Sequence, residues 1–316
     1  MDIYAFSMRK YGSYFWIQNR IAVRLIGKIH ERIRDPYKEG VKVMDKDWDN
    51  LIVLDAARYD LFEETIDLDI FDEYTTVTSL GSTSGQWITR NFSDQTFGNT
   101  ICISANPYTS VEVPEQFFKL IEVDRQPIDT PDTDTEIVGF HPKAVCDAAR
   151  AAHKQHPDKR IIVHLMQPHL PFIAAPELVY RRYQGEELSH GYGGDGPIHI
   201  FEALANGHID RQTIWDGYTK NLELGFEYAL GLAEDLGGKT VFTADHGNMV
   251  GERTWPIPIR LYGHPRGVRT PETVEVPWAE LTVGERRDWV DEGVQSESQL
   301  ESDEIDDRLR ALGYKD

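Results

Sequence analysis

Short apolar runs separated by stretches of helical periodicity set the plan of this chain. Leu51-Ile52-Val53-Leu54, Ile101-Cys102-Ile103, Ile161-Ile162-Val163 and Val241-Phe242-Thr243-Ala244 do not alternate with polar residues. Runs of that kind are buried on both faces, as the inner strands of a parallel sheet are. They predict strands over 50–55, 100–104, 160–166 and 239–244. Helical patterns lie between them, at about 142–156 and 211–236. In the second, Leu222, Phe226, Ala229, Ala233 and Leu236 share a face, and Gly237-Gly238 ends it. Strands alternating with helices require right-handed crossovers, so the expected class is α/β: an α/β/α sandwich around a mostly parallel, doubly wound sheet.

The first 42 residues follow a different pattern. Ile17, Ile21, Leu25, Ile29 and Ile33 recur every four residues, with Ala22 and Ile26 alongside and Arg20, Arg24, Lys28 and Arg32 in a parallel row. This predicts an amphipathic helix with a cationic flank. Its apolar face either packs on the body or docks on an anionic membrane surface. Organisation along the chain is therefore expected as a basic helical segment at 1–45, a catalytic domain at 46–284 and an acidic tail at 285–316 with a short helix around Ile305-Leu309-Leu312. Within the catalytic domain, 173–210 is rich in Gly, Tyr and acids and is expected to be an insertion beside the site.

Charge sharpens this division. The chain carries 33 Lys and Arg against 53 Asp and Glu, a formal −20. Residues 1–42 hold nine bases and four acids, so they are +5 and the remainder is −25. An acidic body repels polyanions, which excludes nucleic acid as a partner of the main body. It also suits a halophilic-like protein kept soluble in concentrated salt. Cys102 and Cys146 lack CxxC spacing and read as buried free thiols. With no apolar span of about 18 residues and no signal-peptide core, a cytoplasmic location is expected. Oligomeric state leaves no trace in the pattern.

Candidate chemistry gathers at the carboxyl ends of the strands, the edge where open α/β sheets collect ligands. Asp55 ends the first strand, and Asp245-His246-Gly247-Asn248 follows the last. Two carboxylates and one imidazole suit one divalent metal ion, Zn²⁺ or Mn²⁺ best, with Mg²⁺ or Ca²⁺ also compatible. Singly, an Asp at a strand end is as often a helix cap, and Asp-His-Gly is often a turn; their joint placement favours a shared ion. Gly81-Ser82-Thr83-Ser84-Gly85 supplies hydroxyls on a turn leading into a helix, where exposed N–H groups attract anions. Such a turn alone is usually only a cap. His164 lies near the end of the third strand, where a histidine is more often a core residue; His169 follows that strand and His264 lies past the fourth, where imidazoles can donate to the oxygens of a phosphoryl or sulfuryl group. Arg58 and Lys220 are weaker candidates for substrate contact.

Taken in order, strand–Asp55, the Ser/Thr turn, Gln167-Pro168-His169-Leu170-Pro171-Phe172, Thr243-Ala244-Asp245-His246-Gly247 and Gly263-His264 resemble the alkaline phosphatase superfamily, specifically its sulfatase-like branch, over about residues 48–280. The resemblance implies an α/β/α sandwich, a covalent phospho- or sulfo-enzyme and a metal touching the nucleophile. Asp55, Asp245 and His246 match the metal ligands, and His169 and His264 the substrate-side histidines. Thr83 matches the nucleophile, which would also touch the metal, because Gly81-Ser82-Thr83-Ser84 is similar to the Gly-Lys-Thr-Ser turn of lipoteichoic acid synthases. Ser84 and Ser82 stay open as rivals.

Several departures narrow what the resemblance implies. Threonine cannot become formylglycine, and neither Trp87 nor Gln86 supplies the arginine that formylglycine sulfatases carry four residues on. No Asp accompanies His169, so one ion is expected, not two. The expected function is a metal-dependent phosphoester hydrolase or phosphotransferase with a Thr nucleophile, acting on phosphate-ester substrates such as cell-surface glycans or lipid headgroups. The rivals are sulfate-ester hydrolysis at the same site and a catalytically silent binding protein.

Overall fold

The computed structural model describes residues 18, 20–128, 137–178 and 200–294. The expected helix at 305–312, most of the 173–210 stretch and residues 1–17 lie outside the described residues.

Seven strands form the central sheet: β1 (Asn50–Leu54), β2 (Glu73–Thr78), β3 (Phe97–Ser104), β4 (Phe117–Glu122), β7 (Arg160–Leu165), β8 (Gly238–Thr243) and β11 (Glu275–Val283), in the order β2-β11-β8-β1-β7-β3-β4. Two small antiparallel pairs accompany it, β5 (Gln126–Ile128) with β6 (Ile137–Gly139) and β9 (Met249–Arg253) with β10 (Arg260–Gly263). From β8 to β4 all neighbours run parallel, whereas β11 is antiparallel to both β8 and β2. The four expected strands are the contiguous block β8-β1-β7-β3 at the centre.

Alternation along β1 divides the core. Ile52 and Leu54 join Ile101, Ile103, Ile161, Val163 and Phe242 against α2 (Tyr59–Thr65), α4 (Pro142–Gln155) and α5 (Arg211–Leu236). Leu51 and Val53 join Cys102, Ile162 and Val241 on the opposite face, against Trp87, Ile88 and Phe92 of α3 (Ser84–Phe92). Helices thus cover both faces, the expected sandwich. Cys102 and Cys146 are free and buried.

The described ends of the 173–210 stretch are core elements. Ala175, Leu178, Ile200, Phe201 and Ala203 are buried in the larger cluster, with Leu178 packed where a side chain on Gly217 would have to fit. At the amino end, a π-helical turn (Ala22–Gly27) continues into α1 (Lys28–Ile33). Ala22, Ile26 and His30 are its buried face. The predicted every-fourth stripe points elsewhere, with Ile21, Leu25 and Ile33 exposed.

Candidate active site

Parallel pairing sets the site's depth. β1 lies between β7 and β8 with Val53 level with both His164 and Thr243, so residues just past these strand ends meet at one edge. The odd positions of β1 face α3, and Asp55 continues that side; its backbone N–H still bonds to Leu165 O at 3.1 Å. Asp55, Asp245 and His246 are fully buried and offer ligand atoms within 4.8 Å of one another. His246 Nε2 is 3.8 Å from Asp55 Oδ1 and 3.5 Å from Asp245 Oδ2. His164, also buried, places Nε2 3.3 Å from Asp55 Oδ2 and 3.7 Å from Asp245 Oδ2. Burial opposes ionisation of Asp55, but the His164 hydrogen bond and the neighbouring imidazoles outweigh it and hold the carboxyl well below its usual range. The same partnership raises His164, against its own burial.

The donor set fits a divalent cation. Asp55 Oδ1 and Asp245 Oδ2 are buried without a hydrogen-bond partner, a costly arrangement unless a positive centre sits between them. The other Asp245 oxygen accepts from the backbone N–H groups of Ala56 (3.0 Å) and His246 (2.9 Å). Ala56 takes a positive φ of 63°, uncommon for a residue with a side chain, and its carbonyl accepts from Tyr218 Oη. His246 Nδ1 lies 3.0 Å from Gly247 O, which fixes the proton there and presents the Nε2 lone pair to the carboxylates. Gly247 itself is required by close packing, since a Cβ would lie 2.3 Å from Glu272 O.

The three hydroxyls diverge at the start of α3. Ser84 Oγ lies 3.4 Å from Asp55 Oδ2 and 3.3 Å from His246 Nε2. Thr83 is the N-cap, its hydroxyl accepting from Gln86 N at 3.4 Å. Ser82 Oγ faces another way, donating to Gln86 Oε1 (3.1 Å) and accepting from Gly267 N (2.9 Å). His169 and His264 are brought together, Nε2 to Nε2 at 3.1 Å, and the His264 ring stacks on His246 with centroids 4.2 Å apart. Arg58 is buried but committed: Nη1 donates to Asn248 O and Glu252, and the guanidinium also meets Asp60. Its burial opposes the charge, yet those carboxylates hold its pKa above the ordinary value. Lys220 is exposed on α5, 3.9 Å from Glu177, and is not among the residues assembled here.

Three asparagines support the site without having been given a role in the sequence, Asn248 being named there only as part of its motif. Asn106 Nδ2 donates to Asp55 Oδ2 at 2.7 Å. Asn221, on α5, donates to the carbonyls of Pro168 and His169, both at 3.1 Å. Asn248 donates to Tyr218 Oη at 3.4 Å. Asn106 had a readable signal, since it lies two residues past β3, the strand beside β7. Asn221 had none, being one polar residue on a long amphipathic helix.

No family model matches the sequence, and no curated protein matches it. Solved structures do. The C-terminal periplasmic domain of phosphoethanolamine transferase EptC from Campylobacter jejuni is 13% identical, covering 74% of this chain and 78% of that one, with a TM-score of 0.42. A 2-O GAG sulfatase is 11% identical, covering 79% of this chain and 66% of that one, with a TM-score of 0.46. A protein in the alkaline phosphatase superfamily from Vibrio parahaemolyticus is 12% identical, covering 85% and 67%, with a TM-score of 0.38. The likeness is one of fold, and two of these structures carry the names, sulfatase and alkaline phosphatase superfamily, of the groups that the sequence motifs resemble. The expected cytoplasmic location is corrected here, because the transferase domains of similar fold are periplasmic by description. The absence of an apolar span, on which that expectation rested, does not report a compartment.

Proposed function

We propose that this chain is a metal-dependent phosphoester hydrolase or phosphotransferase that works through a covalent intermediate on Ser84. The observation that supports it is the convergence of one buried hydroxyl with two partnerless carboxylate oxygens and a tautomer-fixed imidazole. Asp55, Asp245 and His246 would hold the cation. When bound, zinc, manganese or another divalent ion supplies Lewis acidity, polarising a phosphoryl oxygen and lowering the pKa of a hydroxyl beside it.

The chain's own groups do the rest. Ser84 Oγ, held 3.4 Å from Asp55 Oδ2, attacks phosphorus in line, its proton passing to water, and the bond from phosphorus to the leaving alcohol breaks. Ser84 is the first residue of α3, so the N–H groups of that first turn face the phosphoryl oxygens. His169 Nδ1 lies 2.8 Å from Leu170 O, which keeps a proton there. The facing Nε2 atoms of His169 and His264 place an imidazole N–H where it can hydrogen-bond the departing alkoxide, which takes its proton from water. Water, or an acceptor alcohol on a glycan or lipid headgroup, clears the phosphoserine by the reverse displacement.

Sulfate-ester hydrolysis is the reading to separate from this one, because a sulfuryl group has the same tetrahedral shape and needs the same nucleophile. Metal-loaded protein exposed in parallel to an aryl phosphate, an aryl phosphodiester and an aryl sulfate should gain a phosphoryl mass on the peptide holding Ser84. A sulfuryl adduct instead would assign it as a sulfatase. A folded, metal-loaded protein with no adduct from any of the three would mark a silent binding protein.

A further inference from the structure

Among the described residues, the face around α1 combines exposed apolar and basic side chains on two adjoining elements. The helix packs inward through Ala22 and Ile26 onto Met249, Leu261 and Val268, leaving Ile21, Leu25 and Ile33 45%, 47% and 59% exposed. Arg24, Lys28 and Arg32 are exposed beside them. The β9–β10 hairpin lies against the same helix. Its tip, Trp255-Pro256-Ile257-Pro258-Ile259, carries Trp255 at 67% exposure, while Ile257 and Ile259 pack on the cluster around Ala22. Arg253 and Arg260 flank the tip, both exposed. Contact between the two elements is direct, His30 Nε2 meeting Trp255 O at 2.5 Å, and the segment after the hairpin adds a second anchor, Arg269 N donating to His30 Nδ1 at 2.9 Å. At Gly27 the approach is close enough that a Cβ would lie 2.7 Å from Arg266 O.

We infer that this face docks on an anionic lipid bilayer, with the α1 stripe and the Trp255 hairpin tip entering the headgroup region together. Large exposed apolar side chains on two contiguous elements, flanked by cations on a molecule of net charge −20, match the chemistry of that surface. Cations meet acidic headgroups, isoleucine and leucine enter the acyl boundary, and an indole sits at the interface between them. A second copy of the chain is a poorer occupant. A two-fold pairing through this face would set each basic row against its own copy and bring two strongly acidic bodies together. The face also adjoins the catalytic turn. Glu31 accepts from Gln86 and Arg90 of α3, both at 2.8 Å, and the 265–267 loop holds Ser82.

The test is co-sedimentation of the full chain with phosphatidylglycerol vesicles and with phosphatidylcholine vesicles, in about 0.1 M salt, where the screening length is about 10 Å. Circular dichroism under the same conditions reports folding. The expected result is partition onto the anionic vesicles only, falling as salt rises. The double substitution Arg24→Gln with Lys28→Gln should weaken partition about 25-fold, about fivefold for each cation removed. Trp255→Ser, on the separate hairpin, should weaken it about tenfold. Both variants should turn over a soluble aryl phosphate as the wild type does, so failed docking and a failed site assignment are read separately. Should the helix variant misfold, the hairpin variant and the wild-type salt series decide the matter. A folded wild type that ignores anionic vesicles, or variants that bind equally well, would overturn the inference. So would a dimer dissolved by Trp255→Ser with no vesicle binding, which would assign the face to a second copy.

Discussion

At the scale of single residues, the site turns on which hydroxyl faces the carboxylates. Thr83 caps α3 in an extended conformation, while Ser84 lies on the helix itself, three, four and seven residues before Trp87, Ile88 and Asn91 of the sheet-facing side. Extending that period back from Trp87 and Ile88 selects Ser84, a cue present in the sequence but hidden by motif alignment, which compares residue types and ignores helical phase. Ser84→Ala should lower turnover by about 10⁴-fold or more and abolish the covalent adduct. Thr83→Ala should cost about 1 kcal/mol of stability through the lost cap and only a few-fold in rate, and equal losses from both would undo the assignment. The Asp55, Asp245 and His246 cluster that could hold a cation was legible because a strand end fixes position as well as residue type. Saturating Zn²⁺ or Mn²⁺ should raise the wild-type melting temperature by about 5 °C. Asp245→Asn should remove that rise, and identical melting curves for the wild type with and without chelator would argue against a resident ion.

Among elements, the central parallel strands were readable, and the antiparallel additions β2 and β11 were not. β2 is half exposed along Glu73–Thr78, so it lacks the unbroken apolar run that marks a buried strand. β11 contains Pro277, which removes a ladder donor; the fold tolerates it because Pro277 faces Thr76 of β2, just beyond the stretch that pairs with β8, which begins at Trp278. Long-range supports were equally silent. Asn221 reaches from α5 to the His169 segment, and Asn221→Ala should cost about 1–3 kcal/mol in denaturant unfolding by stranding two carbonyls. Its effect on rate should exceed that of an exposed substitution on the same helix, because His169 loses its support. The Arg58–Glu252 pair links the segment before α2 to β9 and carries a pH signature. Burial opposes the Glu252 carboxylate, but Arg58 lowers its pKa overall. A depressed folded-state value means that the stabilisation is complete above the unfolded pKa of about 4.3 and fades as pH falls through the folded value. Glu252→Gln should therefore be less stable at neutral pH and show a shallower acid loss than the wild type, measured by urea midpoints at pH 7, 4 and 3.

For the whole molecule, the acidic surplus and the basic face respond to salt with opposite signs. A chain with 53 acids and 33 bases repels itself when folded, and added ions screen that repulsion. The cationic face is the exception, and screening there weakens attraction to an anionic surface. Raising NaCl from about 0.1 M to about 1 M, which shortens the screening length from about 10 Å to about 3 Å, should raise the melting temperature while lowering partition onto acidic vesicles. A melting temperature that stays flat or falls over this range would show that the acidic surface is solvated without strain and would remove the halophilic-like reading of the composition. Repeating the melt with Arg24→Gln and Lys28→Gln combined separates the two effects. Deleting two cations adds to the net negative charge, so the salt-induced rise should be at least as large as in the wild type even though vesicle partition is lost. Composition alone yields only the −20 sum; the opposing responses require the fold, which sets the helix that carries these basic residues against the Trp255 hairpin.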